Sequence, residues 1–291
     1  MGGSGAMGGG DIGSHTGVLG VLGHPVRHSL SPCMHNAALR AQGLDFVYLA
    51  FDVLPGSLAE AVAGLRSLGF RGVNVTIPHK VAMVALVDEV EAGARRIGAV
   101  NTVVNEGGRL LGYNTDKMGF SAALLGVRPG GVAGMCCFVA GAGGAARAVV
   151  AALQELQVGR IGVWNRTPER AAALCAQAST WGSAMCEVIT DFGKDDAAAR
   201  ADLLVNATSV GLTSSIKESA VPVDNLGSNH VVVDLVYGSK HTALVREARV
   251  RGATAIGGKE MLVMQAAGSY ELWTGLRAPV DVMRNSIDGD R

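Results

Sequence analysis

The sequence predicts an α/β protein of two domains, and three observations carry this prediction. Strand-like and helix-like segments alternate along most of the chain, as they do where helices connect parallel strands. Hydrophobic residues make up 48% of the composition and aromatic residues only 4%, which is typical of strands covered on both faces. The 291 residues are enough for two domains that each bury a core.

The charge balance argues against polyanionic partners. Lysine plus arginine and aspartate plus glutamate both number 25, so no basic excess indicates nucleic acid or an anionic membrane. No uncharged apolar run approaches the ~20 residues that cross a bilayer. Residues 1–15 lack the apolar core of a signal peptide. We therefore interpret them as a cloning remnant or a disordered start that lies outside the fold.

The cysteine and histidine patterns predict neither a disulfide framework nor a metal site. The five cysteines are an odd number and contain no C-x-x-C, so reduced thiols in the cytoplasm fit better. Three histidines, His24, His28 and His35, lie close in sequence but lack carboxylates at ligand spacing. We predict no metal.

The first half alternates strands and helices and ends in a hairpin. Ser31 is predicted to cap the first helix, with Pro32 at its first position, and Gly107 and Gly108 supply the positive φ of a tight hairpin turn. The predicted strands are Gly17–Leu22, Phe46–Val53, Gly72–Thr76, Asn101–Asn105 and Arg109–Tyr113, and the predicted helices are Ser31–Gln42, Ser57–Leu68, Lys80–Leu86 and Glu89–Ile97. This pattern indicates a mixed sheet.

The second half predicts a series of βα units followed by one unpaired helix. The predicted strands are Met135–Ala140, Arg160–Trp164, Asp202–Val205, Val231–Leu235 and Ala253–Ile256, and the predicted helices are Met118–Leu125, Ala145–Leu156, Pro168–Ala178 and Thr242–Arg251. A long amphipathic helix from Lys259 to Gly275 belongs to no βαβ unit, and we expect it to return to the first half. The predicted domains are therefore residues 16–116 with 258–291, and residues 117–257.

A glycine-rich turn follows the first strand of the second domain. The segment Gly141-Ala142-Gly143-Gly144-Ala145 lies between a predicted strand and a predicted helix. Glycines in this context permit a tight turn and let a pyrophosphate approach the helix N-terminus. A turn selected only for strand–helix packing is the alternative interpretation, and the strand–turn–helix context favours dinucleotide binding.

The end of the next strand indicates which dinucleotide to expect. NAD sites usually place an acidic residue there to hold the ribose hydroxyls, but this chain has Asn165, Arg166 and Thr167. A guanidinium at Arg166 matches a 2′-phosphate, and no acidic side chain at the strand end would repel it. The sequence predicts NADP, with NAD possible; the alternative is that Arg166 is a solvated loop residue.

The run after the first strand contains a candidate anion site. Ser29 and Ser31 lie at the start of the first predicted helix, where hydroxyls and backbone N–H groups together suit a carboxylate. Ser31 is explained equally well as a helix cap, whereas Ser29 has no such structural explanation.

Two charged residues, Lys80 and Asp116, each follow a predicted strand of the first half. Pairing would keep Lys80 protonated, whereas burial would lower its pKa and suit general acid–base catalysis. The pattern alone leaves both options open, together with a surface salt bridge. The neutral groups that suit a polyol are Asn74, Thr76, Asn101, Asn114 and Gln265.

Eight segments in order resemble the shikimate/quinate dehydrogenase family. They are HSLSP (28–32), NVTIPHK (74–80), GAVNT (98–102), GYNTD (112–116), GAGGAARA (141–148), NRT (165–167), NATSVGL (206–212) and GKEMLVMQAA (258–267). Together they span nearly the whole chain after residue 16. Eight segments in the family's order would not be expected by chance.

The resemblance implies an enzyme with a cleft between a substrate domain and a Rossmann-like NADP domain. The implied reaction is the reversible NADPH-dependent reduction of 3-dehydroshikimate to shikimate, in the chorismate route to aromatic amino acids, by a monomer or homodimer. Lys80 and Asp116 would be the catalytic pair. By resemblance the substrate-binding residues are Ser29, Ser31, Thr76, Asn101, Tyr237 and Gln265, and the cofactor-binding residues are Gly141, Ala142, Gly143, Gly144, Ala145, Asn165, Arg166, Thr167 and Gly258.

Two departures from the family pattern keep alternatives open. Ser239 replaces the proline of the family's D-x-x-Y-x-P-x-x-T, and Lys117 follows Asp116 where many members have glycine. A dual quinate/shikimate dehydrogenase using NAD or NADP is the principal alternative. A folate-linked methylene dehydrogenase and a non-catalytic ligand-sensing homologue are the others.

Overall fold

The computed structural model describes residues 12–190, 200–211, 221, 223, 226–238 and 241–288. Most of the predicted N-terminal remnant and Ser239 lie outside these ranges. Within them, none of the helices has the length and apolar character that crossing a membrane requires.

Strands and helices alternate as predicted. The strands are β1 (Gly17–Gly23), β2 (Phe46–Asp52), β3 (Gly72–Val75), β4 (Glu89–Val90), β5 (Thr102–Glu106), β6 (Arg109–Tyr113), β7 (Cys136–Ala140), β8 (Arg160–Trp164), β9 (Met185–Ile189), β10 (Leu203–Asn206), β11 (Val231–Asp234) and β12 (Thr254–Gly257). The helices are α1 (Ser31–Ala41), α2 (Leu58–Ser67), α3 (Ala92–Ile97), α4 (Asp116–Val127), α5 (Gly144–Glu155), α6 (Pro168–Ala178), α7 (Ala243–Val250), α8 (Gly258–Thr274) and α9 (Val280–Asp288).

The chain divides into two compact units. Unit 1 contains residues 12–91, 100–113 and 266–288, and unit 2 contains 92–99 and the described part of 114–265. Compared with the predicted boundaries at residues 116 and 258, α3, the start of α4 and the first half of α8 belong to unit 2.

Unit 1 is built on a mixed sheet, as predicted, which has six strands in the order β2-β1-β3-β5-β6-β4. Strand β1 runs parallel to β2 and β3, whereas β5 is antiparallel to β3 and β6. The predicted hairpin between β5 and β6 is present, and Gly107 and Gly108 have φ of 61° and 95°. Both glycines are needed there because other residues rarely adopt positive φ.

The C-terminal helices complete the core of unit 1, as predicted. The indole of Trp273 in α8 donates to the Val103 carbonyl at 2.9 Å, and Arg71 donates to the Trp273 carbonyl at 2.8 Å. Helix α9 packs against α1. The sheet closes tightly on the indole, because a Cβ on Gly72 would lie 2.3 Å from Trp273 Nε1.

Unit 2 is built on a parallel six-stranded sheet in the order β12-β11-β10-β7-β8-β9. From β7 the chain proceeds outward through β8 to β9 and then returns to β10 on the other side. This reversal is the topological switch point of a Rossmann fold, at which dinucleotides bind beyond the carboxyl ends of the strands. The predicted fold class is confirmed.

Two helix predictions around residues 80–97 are wrong. Lys80–Leu86 contains only a short 3₁₀ turn at Ala82–Ala85. Glu89–Ile97 begins with β4, because Asp88 and Glu91 donate backbone hydrogen bonds to β6 carbonyls and Val90 is buried there. Sheet pairing with a strand 20 residues away therefore overrides the local helical pattern.

Three further details of the prediction need correction. Strand β9 was not predicted, because its residues MCEVI form a half-buried edge strand without clear alternation. Ser31 is the first residue of α1 rather than its cap, and the cap position is occupied by Leu30. Helix α8 is not amphipathic, since most of its residues are buried on all sides.

Candidate functional site

The candidate substrate residues of unit 1 follow the ends of two neighbouring strands. Because β1 and β3 are parallel, the loops that leave Gly23 and Val75 emerge at one edge of the sheet. They are joined by a hydrogen bond from His24 N–H to the Ile77 carbonyl at 2.9 Å. A Cβ on Gly23 would lie 2.3 Å from Thr76 Cγ2, so glycine is required for this approach.

Lys80, Thr76 and Asn101 are brought together at this edge. Strand β5 runs antiparallel to β3, so it begins where β3 ends, and Val75 donates to the Asn101 carbonyl at 2.8 Å. The next residue back, Val100, donates to the Lys80 carbonyl at 2.8 Å. Asn101 therefore shares one small region of the sheet edge with Thr76 and Lys80, from which it is more than 20 residues distant in sequence.

Ser29 and Ser31 occupy the start of α1, in the loop after β1. Ser31 N–H donates to the Ser29 hydroxyl at 3.3 Å. Because Ser31 is the first helical residue rather than a cap, its hydroxyl is not needed to cap the helix. The Ser31 hydroxyl therefore stays a candidate anion ligand at a helix N-terminus, whereas the Ser29 hydroxyl has a structural role at the helix start that the sequence did not indicate.

Asn74 has a structural role that its position in the motif did not indicate. Its side chain accepts from the Tyr48 hydroxyl at 2.7 Å and donates to Ser269 Oγ at 2.8 Å and to Thr102 Oγ1 at 3.2 Å. This buried network ties β2, β3, β5 and α8 together. Asn74 is therefore committed to the core of unit 1 rather than to a ligand.

The three N-terminal histidines do not converge on a metal. His24 Nδ1 pairs with Asp52 Oδ1 at 2.8 Å, whereas His35 is fully buried and stacks on Tyr48 at 4.3 Å between ring centroids. Burial lowers the pKa of His35 from 6.5 to about 3. Within the described ranges, no group of three His, Cys, Asp or Glu side chains is placed to hold a metal ion.

The glycine turn of unit 2 lies at the switch point between β7 and β10. Gly141 has φ of 117°, and a Cβ there would lie 2.7 Å from the Ala207 carbonyl oxygen. Gly143 immediately precedes α5, and a Cβ on it would meet nothing within 4 Å. The turn thus combines close backbone packing on one side with open space in front of the helix N-terminus, which fits a pyrophosphate.

The other predicted cofactor residues lie at the same edge of the sheet. Asn165, Arg166 and Thr167 follow β8, and Asn165 Nδ2 donates to the Thr167 carbonyl at 2.9 Å, which shapes the turn. Arg166 is exposed. Gly258 follows β12, and a Cβ there would lie 2.3 Å from the Leu235 carbonyl oxygen, so close backbone approach explains this glycine.

A buried polar cluster fixes the loops after β10 and β11, and sequence reasoning missed its role. Asp234 accepts from Thr242 Oγ1 at 2.5 Å, from Asn206 Nδ2 at 2.8 Å and from Val236 N–H at 3.1 Å. Desolvation raises the pKa of Asp234 despite these donors. The family pattern D-x-x-Y-x-P-x-x-T contained the signal, because Asp234 and Thr242 are its first and last residues.

Asp116 is the buried first residue of α4 in unit 2, and Gln265 lies close to the same helix. Asn114 Oδ1 accepts from Asp116 N–H at 3.1 Å and shapes the start of α4, so Asn114 is a turn residue. A Cβ on Gly119, one turn later, would lie 2.8 Å from Gln265 N. Lys117 pairs with Glu155 Oε1 at 2.7 Å, so its charge is balanced by α5.

Comparison with known families decides the relationship. Residues 21–103 match the shikimate dehydrogenase substrate binding domain, 130–237 match shikimate / quinate 5-dehydrogenase, and 258–287 match the shikimate 5'-dehydrogenase C-terminal domain. The unit 1 sheet edge falls within the first segment, and the glycine turn and Arg166 fall within the second. The chain belongs to the shikimate dehydrogenase family. The predicted family is confirmed, and it is not that of the folate-linked methylene dehydrogenases.

Individual members of the shikimate dehydrogenase family are similar to this chain in sequence or structure over nearly its full length. The shikimate dehydrogenase (NADP(+)) of Moorella thermoacetica is 48% identical over 272 residues, covering 92% of this chain and 91% of the relative. A Thermus thermophilus shikimate 5-dehydrogenase, solved with NADP(H) and shikimate, has a TM-score of 0.82 and 41% identity, with 93% and 98% coverage. Quinate dehydrogenase from Corynebacterium glutamicum, solved with NAD, has a TM-score of 0.84 and 33% identity, with 93% and 98% coverage.

Proposed function

We propose that this chain is an NADP-dependent shikimate dehydrogenase that reversibly reduces 3-dehydroshikimate to shikimate. One observation carries the proposal. The residues assigned to a polyhydroxylated carboxylate lie at one edge of the unit 1 sheet, in a chain that is 48% identical to a shikimate dehydrogenase (NADP(+)). They are Ser29, Ser31, Thr76, Lys80 and Asn101. Their chemistry matches the substrate, which presents one carboxylate and several ring oxygens.

We assign the proton chemistry to Lys80 and Asp116. The Lys80 ammonium would donate to the carbonyl oxygen that becomes an alcohol, and Asp116 would keep the ammonium charged and oriented. NADPH, when bound, supplies the hydride. Ser29 and Ser31 would hold the carboxylate, and the remaining substrate ligands, Thr76, Asn101, Tyr237 and Gln265, would orient the ring.

The choice of NADP depends on Arg166. The glycine turn would hold the pyrophosphate at the N-terminus of α5, and the exposed Arg166 after β8 supports recognition of a 2′-phosphate. No acidic residue accompanies it in the Asn165–Thr167 turn. We therefore assign the glycine turn and the Asn165–Thr167 turn of unit 2 to cofactor binding. The sheet edge of unit 1, together with Asp116, Tyr237 and Gln265 of unit 2, is assigned to the substrate, and we place the enzyme in the cytoplasm.

Initial rates on four substrate–cofactor combinations test the proposal. Purified protein is assayed with shikimate and with quinate, each with NADP and with NAD. Rapid turnover of shikimate with NADP, and at most slow turnover otherwise, is the expected result. Comparable quinate turnover or a preference for NAD would instead identify a dual-substrate enzyme, and no turnover in any combination would favour a ligand-sensing homologue.

A further inference from the structure

Two cysteines meet between a helix and the edge strand of the unit 2 sheet. Cys175 lies in α6 and Cys186 in β9, and their sulfur atoms are 3.2 Å apart. Both are free thiols. Cys175 is buried and Cys186 is half-buried, so small solutes have access to the pair from the Cys186 side.

The other three cysteines are not arranged in this way. Cys33 donates to the Ser286 carbonyl at 3.2 Å. Cys136 and Cys137 are consecutive residues of β7, so their side chains point to opposite faces of the sheet. Among the five cysteines, Cys175 and Cys186 are therefore the pair whose sulfurs need to move by only about 1 Å to reach disulfide bonding distance.

The contact also differentiates the two thiols chemically. The Cys186 S–H donates to the Cys175 sulfur, and this hydrogen bond lowers the pKa of Cys175, whereas desolvation and Glu187 act in the opposite direction. The same hydrogen bond and burial raise the pKa of Cys186. Cys175 is thus the better nucleophile, because the thiolate is the reactive form.

We propose that Cys175 and Cys186 form an oxidation site at which hydrogen peroxide converts the two thiols into a disulfide that joins α6 to β9. In the first step the Cys175 thiolate attacks a peroxide oxygen, the O–O bond breaks, and the departing hydroxide takes up a proton as water. The Cys186 sulfur then attacks the resulting Cys175 sulfenic acid, the S–O bond breaks, and a second water leaves. The two electrons lost by the sulfurs reduce the peroxide.

The position of the pair predicts the consequence. Cys186 is the second residue of β9, near the amino ends of the parallel strands, and Cys175 lies in the second half of α6, which runs back toward those ends. Gly141 and Arg166 follow the opposite, carboxyl ends. The disulfide therefore stabilises the outer edge of the sheet by restricting the unfolded chain, without touching the proposed cofactor groups.

Mild treatment of the full chain with hydrogen peroxide tests the proposal. Remaining thiols are alkylated under denaturing conditions, and peptides are analysed by mass spectrometry without reduction. We expect a peptide pair linked through Cys175 and Cys186, a fall in titratable thiols from the five of the sequence to three, an upward shift of Tm, and full reversal by dithiothreitol.

Two serine variants serve as controls. Cys33→Ser should retain the crosslink, because its thiol bonds elsewhere. Cys186→Ser should lose the crosslink and leave a Cys175 sulfenic acid that dimedone traps, which checks the assigned nucleophile. Loss of thiols in the wild-type protein without a linked peptide, or oxidation of Cys33 or Cys136 ahead of the pair, would overturn the proposal.

Discussion

At Lys80 the backbone is held by Val100 while the side chain is only half-buried, an arrangement that suits a group that exchanges protons with a ligand. We expect Lys80→Met to lower kcat by about 10²–10⁴, the range typical of a lost general acid–base group. NADP binding should be nearly unchanged. Steady-state kinetics and fluorescence titration with NADPH measure the two effects.

Lys117→Met is the matched control for this prediction. Lys117 carries the same charge, but its ammonium pairs with Glu155, so its replacement should change kcat little. Equal losses in the two variants would show that the effect is one of net charge rather than of proton donation by Lys80.

Arg166 offers a residue-level test of cofactor choice. Arg166→Ala should raise the KM for NADP about 10- to 100-fold, because a charge-assisted hydrogen bond to a phosphate is lost, while the KM for NAD stays nearly constant. Arg170→Ala is the control, because Arg170 is also exposed and lies in the first turn of α6, four residues after Arg166. An equal rise of the KM for NADP and the KM for NAD in Arg166→Ala would contradict the proposed contact with the 2′-phosphate.

His35 should make unit 1 sensitive to acid. In the unfolded chain its imidazole binds a proton near pH 6.5, whereas in the folded protein the pKa is about 3. The unfolded state therefore binds more protons between these values, and the free energy of unfolding falls as pH decreases from 6.5, by up to about 1.4 kcal/mol per pH unit.

His35→Phe should flatten this dependence while keeping the stack on Tyr48. Neither ring nitrogen of His35 finds a hydrogen-bond partner within the described residues, so an apolar ring loses no hydrogen bond. Urea unfolding between pH 4 and pH 7 measures the slope. His28→Phe, at an exposed position in the same region, should keep the wild-type slope, and an unchanged slope in His35→Phe would contradict the assignment.

At the scale of single elements, α7 depends on one hydroxyl. Thr242 accepts from Val245 N–H at 3.3 Å as the cap of α7 and donates to the buried Asp234. Thr242→Val should lower the free energy of unfolding by about 1–2 kcal/mol, whereas Thr242→Ser, which retains the hydroxyl, should lie close to wild type. Urea midpoints distinguish the two variants. A stable Thr242→Val would show that water replaces the hydroxyl.

The same scale shows where sequence reasoning succeeded and failed. Gly107, Gly108 and Gly141 were predictable, because each has a positive φ that only glycine readily adopts. Strand β4 was not, since its two residues are stabilised by pairing with β6 rather than by their own pattern. The core role of Asn74 was also hidden, because its partners Tyr48, Thr102 and Ser269 are contributed by separate elements.

At the scale of the molecule, Trp273 tests whether the two units unfold independently. Trp273→Ala should destabilise unit 1 by about 3–5 kcal/mol, because a fully buried indole is removed. Unit 2 should retain its stability, so unfolding should separate into two transitions. Leu272→Ala, at a half-buried position of the same helix, is the milder control. A single shifted transition would show that the units unfold together.

Helix α8 connects the order of synthesis to the order of folding. Its first half belongs to unit 2 and its second half supplies Ser269 and Trp273 to unit 1. During translation the strands of unit 1 emerge from the ribosome first. Their core lacks Ser269 and Trp273 until all of unit 2 has been made. Unit 1 is thus the first to begin and the last to fill its core, and the apolar face that Trp273 covers stays exposed while unit 2 is being made.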